Sequence, residues 1–337
     1  MNNSGKDFTE YYREGRMTTE FNYPSTSAAS FWHMPVLYFV VCCIANYFTG
    51  ALDYQLINDF RAQRDFNAAL GMPLLTTFFW ISLRIQQQQM AGAIMSYLLD
   101  KNALSLFAQH RARLAVKLRH HILTSATLAI SMTAVYIMSE ELVAFDMNMQ
   151  VLVLDLIAVP FWFFFWLFLF QMIYSTHYMM KHFIHIHIAT SSELKALKRV
   201  SLLSMENALF SITALIIIPV FWFKKDIPAI DLAIVTLFSS SLTVYLIMPA
   251  VKVYRLIGAR KQKIMDQLTR GLTSIYCEDE SDRINHERRN AIQQEIEEVE
   301  NITATPVTFE QCKRMLSVVF LIPASWMTLI YIEHLVT

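Results

Sequence analysis

Apolar residues in this chain come in long runs. The run from Ile157 to Ser175 carries no charge, and at about 1.5 Å per residue a helix of that length reaches across roughly 30 Å of hydrocarbon. Comparable runs occupy 35–52, 68–83, 122–139, 208–223, 230–251 and 315–333. Together they predict an all-α polytopic membrane protein with about seven transmembrane helices and helical cytosolic extensions of spans two to seven.

The segments between the runs keep helical periodicity. Over 85–121, Met90, Ile94, Tyr97, Leu98, Leu104, Phe107, Leu114 and Leu118 recur at roughly helical spacing among Gln, Lys and Arg, which predicts one or two amphipathic helices beneath the membrane. Thr190 and Glu193 form a capping box that should start a helix at Ser191 leading into span five. In 252–314, Ile284, Ile292, Ile296 and Val299 mark an amphipathic helix, and Thr308 with Gln311 after Pro306 marks another helix start before span seven. The chain therefore divides into a polar cytosolic segment over 1–33, a membrane domain with six spans and inner helices over 34–251, a cytosolic helical segment over 252–314, and a seventh span within 315–337.

Composition agrees with this pattern: 55% of the 337 residues are hydrophobic and 24 are Phe, above the usual soluble range. Charge decides orientation. Lys and Arg number 28, as do Asp and Glu, so net charge gives no reason to expect a nucleic-acid partner. With the N-terminus cytosolic, the inner segments hold 24 Lys and Arg and the outer loops 4, as the positive-inside rule requires. The expected location is the bacterial inner (cell) membrane, with the C-terminus outside.

Motifs for soluble chemistry are lacking. The 7 Gly form no phosphate-cradling loop, and the 4 Cys show no paired spacing. The chain reads as a non-enzyme without cofactor. The alternative is a His-ligated metal ion or haem: His182 and His185 lie about one helical turn apart, with His177 or His187 as further ligands and His110, His120 and His121 on another inner segment. No H-x-x-H-H box and no interleaved carboxylate accompany them, and the favoured reading of the set is interfacial residues at a helix end.

Three further features bear on function. Asp155 lies near the outer end of span four, where it can reach water or pair with Lys224 or Lys225; Glu206 has the same reading at the inner end of span five. Thr124, Thr127 and Ser131 form a hydroxyl face in span three, and Ser239, Ser240 and Ser241 sit within span six. Pro73, Pro160, Pro219, Pro249 and Pro323 place kinks in five spans. The leading expectation is passage of an ion or small solute, by a homo-oligomer in the lipid bilayer, with these hydroxyls and Asp155 on the pathway. The alternative is a signalling or scaffolding subunit that engages a cytosolic protein through 252–314.

Overall fold

The computed structural model describes residues 28–53, 60–100, 103–139, 149–183, 191–223, 229–277, 283–301 and 331. Among them are seven α-helices and no strand: α1 (Ala28–Phe48), α2 (Phe60–Asp100), α3 (Phe107–Ser139), α4 (Met149–Phe183), α5 (Ser191–Ile217), α6 (Ala229–Cys277) and α7 (Arg283–Asn301). Short 3-10 turns, Leu104–Leu106 and Ile218–Trp222, precede α3 and follow α5.

Four of these stretches are long and apolar enough to cross a membrane, and they fit a membrane location: Arg61–Leu99, Leu104–Met138, Met149–His182 and Leu203–Trp222. They correspond to expected spans two to five. The count of seven is not reached among the described residues. Expected span one is a shorter apolar helix, Trp32–Phe48, and expected span six begins α6, where many side chains lie outside the description. Expected span seven, at 315–333, and the Thr308 helix start fall almost wholly outside the described residues.

The 85–121 segment is helical and extends two neighbouring apolar runs, as the end of α2 and the start of α3. With no Pro between Leu83 and Asp100, α2 continues unbroken through both its apolar run and its amphipathic extension. Likewise α3 carries its polar start and its apolar run as one helix. The start of α5 at Ser191 agrees with the capping-box reading.

α2 and α4 form the centre, with α1, α3 and α5 packed around them and α6 against α5. Leu75, Phe79, Leu154, Ile157, Phe168 and Met172 are buried in the main core. At the end where the extensions gather, a second core joins Met90, Ile94, Tyr97, Tyr178, Met179 and Leu203, and a third joins Leu194, Val253 and Ile257. α7 returns along α6, where Lys261 Nζ donates to the Glu300 carbonyl at 2.8 Å. The chain turns after α1 at Gly50, whose φ of 82° suits glycine.

A proline within a helix and the end of a helix both leave carbonyls without a helical donor, and side-chain amides meet carbonyls of both kinds. Pro73 lies within α2 and has no N–H for the Ala69 carbonyl four residues earlier. Asn46 Nδ2 of α1, fully buried, donates to that carbonyl at 2.8 Å. Beyond Pro219, where α5 tightens into its 3-10 turn, Asn67 Nδ2 donates to the Phe221 and Phe223 carbonyls at 3.1 and 2.9 Å. Gln63 Nε2 donates to the Phe223 carbonyl at 2.8 Å. Gly71 makes room for this junction, because a Cβ there would stand 3.0 Å from the Phe221 ring.

Replacing Asn46 by Ala should lower stability by about 1–2 kcal/mol, since it orphans a buried carbonyl. In a Pro73→Ala background the new N–H serves that carbonyl, so a double-mutant cycle read by thermal melting in detergent should return a coupling of about 1 kcal/mol. A coupling of zero means that Asn46 contributes only by packing.

Candidate functional site

Nearer the other end of the bundle, buried amides meet a hydroxyl instead of backbone. Gln86 Nε2 of α2 donates to Ser175 Oγ of α4 at 2.8 Å, and Asn207 Nδ2 of α5 donates to the same oxygen at 3.0 Å. Ser175 in turn donates to the Met172 carbonyl at 3.1 Å. Gln86 is 2% exposed, Ser175 1% and Asn207 1%. Three helices are thus joined at one oxygen.

The arrangement has a surplus of acceptors. Gln86 Oε1 and Asn207 Oδ1 are buried without a hydrogen-bond partner among the described residues, as are Thr176 Oγ1 and Ser211 Oγ close by in sequence. A buried unpaired carbonyl oxygen costs about 1–3 kcal/mol. A donor or a weakly hydrated cation at these oxygens removes that penalty. Chemically, the cluster can take a water molecule, a monovalent cation or an ammonium group.

Between this cluster and the amide caps near Asn67 stands an aromatic belt. Phe79 of α2 lies 5.0 Å from Phe168 and 5.9 Å from Phe165 of α4, measured between ring centroids. Phe78 adds a contact with Phe168 at 6.5 Å, and Phe161 meets Phe221 at 5.8 Å. The rings fill the interior of the apolar section.

The histidines fall into two groups. His110 Nδ1 and the Tyr178 hydroxyl are hydrogen-bond partners at 2.5 Å, and the His182 ring lies 4.5 Å from the Tyr178 ring and 6.1 Å from the His110 ring. His121 is buried against Tyr174, with Nδ1 3.4 Å from Gln171 Nε2. His177 is exposed, and His185 and His187 lie outside the described residues, so the expected His182 and His185 pair lies partly outside the description. Among the described residues no group of three or more His, Cys, Asp or Glu could hold a metal ion.

The hydroxyl face of α3 turns outward. Thr124 Oγ1, Thr127 Oγ1 and Ser131 Oγ donate to the His120, Leu123 and Thr127 carbonyls of their own helix, at 3.0, 3.1 and 3.0 Å. Thr127 and Ser131 are exposed beside Ile130 and Leu123, whereas Ser125 and Thr133 on another face are buried. Ser241 of α6 is also exposed, while the side chains of Ser239 and Ser240 lie outside the description. Asp155 is half-buried near the charges of Asp65 and Arg64, and its Oδ1 has no partner among the described residues. Lys224 and Lys225, its expected partners, lie outside the described residues. Among the described side chains, Thr124, Thr127, Ser131 and Asp155 show no hydrogen bond to the Gln86 cluster.

No family model, curated protein or solved structure matches this chain. Its site therefore has to be read from its own residues. Gln86, Ser175 and Asn207 were not among the residues expected from sequence. Asn207, lying between Glu206 and an apolar run, carried the one available signal: a lone amide where a span begins.

Ser175→Ala removes the acceptor of two buried amides and should lower stability by about 1–3 kcal/mol. Ser131→Ala, on the exposed face, should stay within about 0.5 kcal/mol. Thermal melts of the two variants in the same detergent check the contrast, and equal melting temperatures contradict the role given to Ser175.

Proposed function

We propose that this chain is a seven-span membrane protein that gives an ion or small polar solute a passage, with its basic helical end on the cytosolic side. The supporting observation is the division of buried polar groups into two sets, Gln63 and Asn67 at one end and Gln86, Ser175 and Asn207 toward the other, with the Phe79 and Phe168 belt between them. Polar side chains inside a membrane bundle mark pathways, and an apolar constriction between them closes a pathway by excluding water. In this reading the described conformation is closed.

The outward hydroxyls Thr127, Ser131 and Ser241 take a different part. Their exposure suits contact with lipid or with a second copy, since hydroxyl-bearing faces let helices approach closely. Assembly into a homo-oligomer is part of the proposal, and such an interface is its second route for passage.

A relay to a cytosolic protein is the second reading, favoured by helix continuity. α2 runs unbroken for 41 residues from the apolar core into the basic end, so movement at the belt reaches the 252–314 surface through rigid elements. Deleting 278–302 separates the readings. Loss of partner binding with intact flux supports the relay, and altered flux supports the passage.

Proteoliposomes containing the chain should show flux of a monovalent ion or small polar solute under some voltage, pH or ligand condition. Phe79→Ala with Phe168→Ala should raise the resting leak severalfold by widening the belt. A chain that passes nothing under all such conditions, with the belt variant equally silent, does not support passage.

A further inference from the structure

We propose that the cleft between α2 and α3 binds the phosphate headgroup of an anionic phospholipid. The proposal rests on the membrane reading but not on passage. The cleft has a volume of about 680 Å³ and is lined by Arg84, Gln87 and Gln88 of α2, Arg111, Leu114 and Leu118 of α3, and Gln171 of α4. That volume lies within the range of about 300–1,000 Å³ usual for ligand sites.

Its depth points to a lipid. Arg84 follows directly on the apolar run 68–83, and Leu118 stands just before the apolar run 122–139. The cleft therefore sits where two neighbouring apolar sections end, at the level of headgroups. Its own chemistry is split in the same way, two guanidinium groups and three amides beside leucine and methionine. Immediately beyond it on α3, Ile122, Leu123 and Ile130 are 40%, 64% and 66% exposed, which gives acyl chains an apolar surface to lie along.

Charge selects an anion. Within 84–121 there are six Lys and Arg and one acidic residue, Asp100. The Arg84 guanidinium is held 5.5 Å above the Trp80 ring, whose face attracts and orients it. Lys117 is held 6.0 Å over Tyr174 on the neighbouring side of α3. Arginine donates in a planar fork that matches phosphate oxygens, and amides at Gln87, Gln88 and Gln171 can complete the shell. Basic pockets between helices at the cytosolic boundary are suited to acidic headgroups.

The test uses the full chain in detergent, titrated with short-chain phosphatidylglycerol or phosphatidylcholine, and read by thermal melting and by native mass spectrometry. Phosphatidylglycerol should bind at least tenfold more tightly than phosphatidylcholine and raise the melting temperature by several degrees. Arg84→Gln with Arg111→Gln should abolish that preference, while Lys263→Gln with Arg270→Gln, exposed on α6, should keep it. If the double variant at the cleft does not fold, the single exposed variant Arg111→Gln is read instead, with a partial loss expected. Equal binding of both lipids by the unaltered chain, or undiminished preference in the cleft variants, overturns the proposal. Glycerol phosphate and inorganic phosphate form the second arm: if either stabilises the chain as well as phosphatidylglycerol, the site is for a small soluble anion and the lipid assignment is wrong. Because binding is read without flux, failure of the passage reading leaves this result standing.

Discussion

A bilayer core offers no bulk water to a backbone carbonyl that has lost its helical donor, so a carbonyl set free inside this bundle is best met by a polar side chain. Pro73 frees one, and the end of α5 with its 3-10 turn frees others. The Ala69 carbonyl, released by Pro73, takes the amide of Asn46 from the neighbouring helix, and the carbonyls of Phe221 and Phe223 take the amides of Asn67 and Gln63. Each such bond is worth about 0.6 kcal/mol on average between membrane helices, yet an unmet carbonyl costs more, and this asymmetry fixes the packing. The bonds register α1 against α2 and α2 against the end of α5. They explain why a chain this rich in apolar residues buries amides at all.

The same reasoning separates the second set of amides. Gln86 and Asn207 both donate to Ser175, and their oxygens are buried without a hydrogen-bond partner among the described residues. A bundle held only by packing has no need of this group. The hydroxyls of Thr124, Thr127 and Ser131 are spent on their own helix, which makes α3 compatible with lipid on its outer face. Phenylalanine rings with centroids 5.0–6.5 Å apart lie between the two sets.

Length gives the structure its second character. Five of the helices continue past their apolar runs into an end where Arg, Lys and His gather over small cores of their own, Ile94 with Tyr178 and Leu194 with Ile257. α2 and α4 run unbroken from the aromatic belt to that end. The α2 and α3 cleft opens at the transition, beside His121 and Gln171, so whatever occupies it touches the helices that carry the Gln86 cluster.

Much of the architecture was legible along the chain. The apolar runs, the helix start at Ser191 and the absence of a breaker between Leu83 and Asp100 follow from local composition and spacing, because a helix satisfies its own backbone and needs only a compatible sequence. Asn46 stood out as the one strongly polar residue of its run. The hydroxyl stripe of α3 was visible too, but its direction was not, since period 3.6 gives a face without saying which neighbour it meets. The contact of Gln86 with Ser175, 89 residues away, and of Asn207 with Ser175, 32 away, was decided only when three helices settled at one rotation and one height. That choice comes from the fit of Phe79, Phe168 and Met172 in the shared core, a property of surfaces in contact that no single segment carries.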